Sequence, residues 1–326
     1  MRNHSSTHNN RGSVLVMQGR FDAARRELES AVREDPSNAS ALTNLGYLFF
    51  REGKLDEAIL LYQKAIGLNP RYAVAYNNLG LAYTEREQYD EAEKAYKAAI
   101  FVDASYPVAR LNLAQLYHIR RDLNEAVEEY RTYLGMRPGD VQALYNLGVV
   151  YLEKGLPDQA ASSFWQVLRV DRDHAEARIN LAAILMQNRQ WDQAVEMIMP
   201  VIDKNPDNHL ARYHLALAYL GKHDMDSAGS ELKKILARDP DAMAATNNLA
   251  LIYRQQGKGE EALQLLLSCL EKHAGSTMLH YNLGLMYEGK GRRKDAAVHF
   301  EKVVELEPDG SERSERAKKC IASFRQ

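Results

Sequence analysis

Residues 39–72, ASALTNLGYLFFREGKLDEAILLYQKAIGLNPRY, form a unit that recurs along the chain without insertions. With Ala39 as position 1, Gly46 is at position 8, Ala58 at position 20 and Pro70 at position 32. Self-similarity at a fixed period of about 20–50 residues is typical of repeat architectures. Position 20 is alanine in all nine registers, namely Ala24, Ala58, Ala92, Ala126, Ala160, Ala194, Ala228, Ala262 and Ala296.

The spacing of small and large residues predicts two antiparallel helices in each unit. Position 8 is always glycine or alanine, and position 7 is leucine from Leu45 to Leu283, with Arg11 as the exception. Because two helices can approach closely where neither has a large side chain, we expect position 8 to face position 20. Large residues at positions 7, 11 and 24 fill the space beside this contact, and proline at position 32 ends the second helix in six units.

This pattern resembles the tetratricopeptide repeat over residues 5–310. The resemblance implies an all-α, right-handed superhelical solenoid of about nine tandem 34-residue helix-turn-helix repeats, concave on the side of the first helices. The expected repeats begin at residues 5, 39, 73, 107, 141, 175, 209, 243 and 277, and the first is degenerate. Residues 1–13 are expected to be a polar segment that leaves the first helix short or missing. Residues 311–326 are expected to form a capping helix, and no domain boundary is expected within the repeats.

Composition limits the classes of partner and the compartment. The formal net charge of the 326 residues is −2, and acidic and basic residues alternate along the second helices. Nucleic acid is therefore not expected as the main partner, because phosphate binding needs a coherent stripe of Lys and Arg. Cys269 and Cys320 are too few for a disulfide framework, which favours a reducing compartment. Cys269 is expected to be buried, and Trp165 and Trp191 are expected to pack among apolar neighbours of their own helices rather than to bind a ligand.

No apolar run is long enough to cross a membrane, and the polar start of the chain lacks the apolar core of a signal peptide. We therefore expect a cytoplasmic protein that does not insert into membranes. The degenerate first repeat leaves open that the chain is a fragment whose export signal is missing.

The sequence has no recognisable catalytic arrangement. It contains no nucleophile elbow, glycine-rich phosphate loop, CxxC or HExxH motif. His4 and His8 are spaced i, i+4 but have no third ligand nearby. We therefore predict a protein that is not an enzyme and has no cofactor and no metal.

Position 6 carries the candidate binding residues. Asparagine is a mediocre helix former, so its repetition in the middle of first helices needs a cause. Each amide could hydrogen-bond a neighbouring helix, or it could bind the backbone of an extended peptide. In the second case the row resembles the asparagine ladder of the repeat region of O-linked N-acetylglucosamine transferase. The residues are Asn44, Asn78, Asn112, Asn146, Asn180, His214, Asn248 and Asn282.

Apolar and aromatic residues accompany this row at positions 2, 5 and 9. They include Tyr145, Tyr213 and Tyr281 at position 5, which we predict to contact the side chains of a bound peptide. The basic residues by which related cochaperones clamp a carboxylate are missing from positions 2 and 5, and position 6 is Asn or His. Arg110, Arg178 and Arg212 at position 4 are interpreted as side chains that extend towards water.

The sequence thus predicts a protein-protein interaction scaffold that binds an extended polypeptide in its concave groove. Two alternatives stay open. One is a self-assembling scaffold, which would make the chain a homo-oligomer. The other is the substrate-recruiting part of a larger enzyme or of a secretion or pilus assembly.

Overall fold

The computed structural model describes residues 2–308 and 310–324, which are helices joined by short turns, with no strand among them. The first helices of the pairs are α1 Arg2–Met17, α3 Ala39–Arg51, α5 Ala73–Glu85, α7 Pro107–Arg120, α9 Val141–Glu153, α11 Ala175–Gln187, α13 His209–Gly221, α15 Met243–Gln255 and α17 Thr277–Gly289. The second helices are α2 Phe21–Glu34, α4 Leu55–Leu68, α6 Tyr89–Val102, α8 Leu123–Met136, α10 Pro157–Val170, α12 Trp191–Lys204, α14 Met225–Arg238, α16 Gly259–Lys272 and α18 Arg293–Leu306. A last helix, α19, covers Glu312–Phe324.

The helix pairs make a helical solenoid of about nine repeats followed by a C-terminal helix. They form two compact units, Met1–Arg172 and Asp173–Gln326. The first unit contains α1 to α10 and the second contains α11 to α19. The uninterrupted repeat pattern did not predict this division.

Helix α1 is longer than the sequence suggested, because it runs from Arg2 to Met17 rather than being short or missing. Ser5 and Asn9, on its inner face, are buried. The Ser5 hydroxyl donates to the carbonyl of Ala31 at 2.9 Å, and the Asn9 amide donates to the Ser40 hydroxyl at 3.2 Å. The polar sequence packs as a helix because its buried groups find hydrogen-bond partners.

The turn within each pair places position 15 in the left-handed backbone region. Five turns have glycine there, with φ between 71° and 78°, at Gly19, Gly53, Gly155, Gly257 and Gly291. The other four have Glu87, Arg121, Arg189 and His223, with φ between 58° and 67°. A residue with a Cβ is disfavoured in this region by roughly 1–2 kcal/mol. The packing of the two helices therefore imposes the turn even where the sequence lacks glycine.

The glycine at position 8 packs tightly against the ring at position 24, and a Cβ on Gly46 would also lie 3.3 Å from the carbonyl oxygen of Ala58 at position 20. A Cβ added to Gly148 would lie 2.5 Å from the ring of Phe164. The same relation holds for Gly46 with Tyr62, Gly80 with Tyr96, and Gly284 with Phe300. Where position 8 is alanine, position 24 is Ile198, Leu232 or Leu266, apart from the pair Ala114 and Tyr130. The two positions therefore compensate for each other's volume in most repeats.

Polar contacts between consecutive repeats recur at the turn end of the helices. The residue at position 14 contacts the polar residue at position 18 of the preceding repeat. The contacts are Arg86–Asp56, Arg120–Asp90, Lys154–Asn124, Lys222–Asp192, Gln256–Asp226 and Lys290–Glu260. In the second unit a further set joins position 30 to position 33 of the preceding repeat, as Lys204–Asp173, Arg238–Asp207 and Lys272–Asp241. Because these pairs are exposed, each contributes little stability, but together they favour one register of stacking.

The end helix and the tryptophans complete the packing. Ala317 of α19 is fully buried, and Ile321 and Phe324 pack against a core cluster shared by the last two repeats, which also contains the buried Cys269. Trp191 packs against the backbone of Gly221, as predicted for a packing residue. Trp165 is 47% exposed, so about half of this side chain lies outside the packing.

Candidate functional site

The position-6 side chains lie on the first helices, and all eight are partly exposed. Positions 2 and 6 share a helix face because they are four residues apart. The amide of Gln142 accordingly donates to the side-chain oxygen of Asn146 at 2.9 Å. We refer to the eight position-6 residues, from Asn44 to Asn282, as the amide row, although His214 is one of them.

Four members of the amide row bond to position 5 of the preceding repeat. Their amide groups donate as Asn44 to Asn9 at 2.8 Å, Asn112 to Asn77 at 2.8 Å, Asn248 to the Tyr213 hydroxyl at 3.0 Å, and Asn282 to Asn247 at 2.7 Å. These asparagines therefore have the role that the sequence left open, a bond to a neighbouring helix. The bond occupies one N–H of each amide.

Three members of the row lack such an acceptor, and for Asn146 the corresponding residue is the apolar Leu111. The residue that would accept from Asn78 is Thr43, whose hydroxyl is buried and donates to the carbonyl of Ala39 at 2.8 Å. The corresponding residue for His214 is Ile179, which is apolar and buried. The Nδ1 atom of His214 is buried without a hydrogen-bond partner, and burial lowers the pKa of this imidazole.

The three predicted tyrosines lie beside the row and also take part in packing. Tyr145 and Tyr281 contact the position-24 rings of their own repeats, with centroid distances of 5.7 Å to Phe164 and 5.9 Å to Phe300. The third, Tyr213, accepts the bond from Asn248 described above. Each ring is only partly exposed, so a peptide could contact its edge.

Position 2 supplies exposed apolar side chains in three of the first helices. Val108 is 43% exposed, Leu210 55% and Met278 44%. Each lies one helical turn before a member of the amide row, Asn112, His214 or Asn282. The face therefore alternates apolar contact surface with amide or imidazole groups.

Helix α19 adds a residue that sequence reasoning missed. Arg316 follows Asn282 by 34 residues, so it takes position 6 of a further first helix. The interpretation of α19 as a cap hid this register, although the repeat count could have revealed it. Arg316 is exposed and lines a cleft of about 340 Å³ together with Tyr281, Glu307 and Arg313. Arg313 forms an ion pair with Glu307, and its guanidinium lies 5.9 Å from the centre of the Tyr281 ring.

The position-4 arginines do not all extend into water, as the sequence suggested. Arg110 pairs with Glu129 at 3.0 Å, and Arg212 pairs with Glu231. Both acidic residues are at position 23 of the same repeat. These arginines are therefore neutralised within their helix pairs and do not provide a basic patch.

Neither a metal-binding cluster nor a membrane-spanning helix is found among the described residues. Within residues 2–308 and 310–324, no three His, Cys, Asp or Glu side chains are grouped so that they could hold a metal ion. None of the described helices combines the length and the apolar character needed to cross a bilayer.

Stacked helix pairs of this length define a helical-repeat scaffold. Models of the tetratricopeptide repeat match residues 9–73, 77–141, 120–164, 152–220, 219–283 and 279–309. The chain belongs to the tetratricopeptide repeat family and has the architecture of a protein-interaction scaffold.

Several solved structures resemble this chain. YrrB, described as a tetratricopeptide repeat protein with an unusual peptide-binding site, is 25% identical, with 56% of this chain and 95% of YrrB aligned at a TM-score of 0.50. The C-terminal part of a repeat-containing protein from Cytophaga hutchinsonii is 17% identical over 74% of this chain and 99% of its own, with a TM-score of 0.63. MamA is 28% identical over 51% of this chain and 96% of its own, with a TM-score of 0.46. A search of curated proteins gave no significant match.

Proposed function

We propose that the first-helix face of the repeats within each unit binds an extended polypeptide, with the members of the amide row in that unit contacting the peptide backbone. The observation that carries this proposal is the alternation of partly exposed amides with exposed apolar side chains at position 2. Amides suit the backbone of a peptide of any sequence, and the apolar side chains suit alternate side chains of an extended ligand. The similarity to YrrB, which is described as having a peptide-binding site, supports a peptide-binding role for the chain.

The members of the amide row differ in how many of their N–H groups are free to bind a peptide. Asn44, Asn112, Asn248 and Asn282 each use one N–H for the solenoid and present the rest of the amide to a ligand. Asn78 has no acceptor for its N–H groups among the described residues, so it can offer both to a peptide. In the second unit Arg316 continues the row with a positive charge, which suits a carboxylate of the ligand.

Several contacts must act together for useful affinity. A net hydrogen bond contributes roughly 0.5–1.5 kcal/mol, while ordering a flexible peptide opposes binding. Long extended segments are therefore favoured over short tails.

The test is selection from a displayed library of random 12-residue peptides, followed by fluorescence anisotropy with the selected peptides. Asn78→Ala should weaken binding by about 2- to 12-fold, the equivalent of one hydrogen bond, and Val108→Ser should also weaken it. Glu91→Ala, an exposed change on a second helix, is the control and should bind like the wild type. Peptides that bind equally well to the Asn78 and Val108 variants would refute the proposed site.

A further inference from the structure

Phe101 is the most exposed of the large hydrophobic side chains among the described residues. It lies in the last turn of α6 and is 92% exposed. Single exposed hydrophobic residues are common on protein surfaces, so exposure alone implies nothing. The surroundings of Phe101 are what distinguish it.

Phe101 is at position 29 of its repeat, and the residues at this position in the two flanking repeats are glycines. Gly67 lies in α4 and Gly135 in α8, each one residue before the helix ends. Neither has a positive φ, and a Cβ added at either would meet nothing within 4 Å. Glycine in a helix is less favourable than alanine by roughly 0.5–1 kcal/mol. No contact within the chain requires these glycines, whereas a neighbouring molecule that approaches the helix closely would.

The projecting ring of Phe101 and the uncovered backbone at Gly135 together form a self-complementary surface. A two-fold axis that runs parallel to α6 and α8, midway between them, places α6 of one copy opposite α8 of the other. Phe101 of each copy then faces Gly135 of its partner, and both contacts form at once, as an isologous interface requires. Met136, next to Gly135, is 38% exposed and extends the apolar surface under the ring.

Charge favours this pairing over the equivalent one with α4. The same axis sets position 22 of α6 opposite position 22 of α8, which brings Lys94 of one copy to Glu128 of the other. Both are exposed, and neither forms an ion pair among the described residues. Pairing with α4 would instead set Lys94 against Leu60, which is apolar and 66% exposed.

We propose that this second-helix surface of the first unit binds a second copy of the chain, with Phe101 against Gly135 and Lys94 against Glu128. The interface is separate from the amide row, which lies on first helices. A two-fold dimer could therefore carry two peptide-binding faces.

Sedimentation velocity of the full chain over a range of concentrations tests the proposal. The wild type should show a concentration-dependent dimer. Phe101→Ser should raise the dissociation constant at least about tenfold, since buried aromatic anchors dominate small interfaces. Gly135→Leu should do the same by filling the space for the ring. Gly67→Leu is the matched control and should leave the dimer unchanged.

Charge exchange provides a second, independent test. Lys94→Glu and Glu128→Lys should each weaken the dimer, and the double variant should restore it, because a reciprocal pair tolerates reversal. A wild type that stays monomeric at all concentrations, a dimer that survives Phe101→Ser, or equal effects of Gly67→Leu and Gly135→Leu would overturn the proposal.

Discussion

Asn112 donates a hydrogen bond from its side-chain amide to the side-chain oxygen of Asn77, 2.8 Å away on the first helix of the preceding repeat. Asn77 is buried, so loss of this donor leaves a polar oxygen without its partner. Asn112→Ala should therefore lower the free energy of unfolding by about 1–3 kcal/mol. Asn78→Ala removes only a longer bond, in which the Asn78 oxygen accepts from the Asn77 amide at 3.3 Å, and should cost less, about 0.5–1 kcal/mol.

Urea denaturation of both variants followed by circular dichroism measures this difference. The comparison also separates the structural use of the amide row from binding. Equal stabilities for the two variants would show that the bond between Asn112 and Asn77 does not support the stack.

Gly148 packs against the ring of Phe164, and Gly148→Ala should destabilise the chain by about 1–3 kcal/mol through overpacking. The reason is that the new methyl group would lie 2.5 Å from the ring. Adding Phe164→Leu should recover part of the loss, because alanine at position 8 occurs with leucine at position 24 in Ala216 and Leu232. A double-mutant cycle in thermal denaturation measures the coupling. Additive effects would mean that the two positions do not share a space.

The period of the sequence was sufficient to predict the architecture, since small and proline residues at fixed spacing leave few other ways to pack. It did not show how closely the ring at position 24 approaches position 8, because Ala160 and Phe164 are one helical turn apart and both point inward. The amide row could also be predicted, because its members recur with the same 34-residue period. The hydrogen bonds of the row could not be predicted, because they depend on position 5 of the preceding repeat, where Asn77, Ile179 and Tyr213 differ in chemistry.

Arg212 and Glu231 form a mostly buried ion pair, with side chains 13% and 11% exposed. Arg212→Leu should lower the free energy of unfolding by about 3 kcal/mol, because it leaves Glu231 buried with only Lys234 as a charged partner. The double variant Arg212→Leu, Glu231→Leu should be close to the wild type in stability. Leu42 and Leu61 occupy the same two positions of the second repeat and pack together there.

Chemical denaturation of the single and double variants measures these differences in the free energy of unfolding. Glu231→Leu alone is the complementary control, since it leaves Arg212 without its acid. A double variant as unstable as Arg212→Leu would mean that this repeat cannot accommodate an apolar pair.

His299 makes the stability of the last repeat depend on pH. Its Nδ1 is 2.9 Å from Nδ1 of His280, whose Nε2 is 3.1 Å from the carbonyl oxygen of Ala274. Because a carbonyl can only accept, His280 is protonated on Nε2 and its Nδ1 accepts the proton of His299. The ring of Tyr287 stacks on His299 with centroids 5.5 Å apart. Burial, with a smaller effect from His280 and against the opposing effect of Asp295, lowers the pKa of His299 to about 4.

The unfolded chain binds a proton at His299 near pH 6.5, so above that pH both states are neutral and stability is unaffected. As the pH falls from 6.5 towards 4, the unfolded state gains the proton first and the contribution of His299 to stability is lost. Thermal unfolding between pH 7.5 and about 4.5 should therefore show a fall in Tm that is smaller for His299→Leu, which has no imidazole. Leucine suits the site because Leu265 occupies the same position of the preceding repeat. His223→Asn, which removes an exposed imidazole in a turn, should retain the dependence of the wild type. An unchanged slope in His299→Leu would assign the acid sensitivity to other groups.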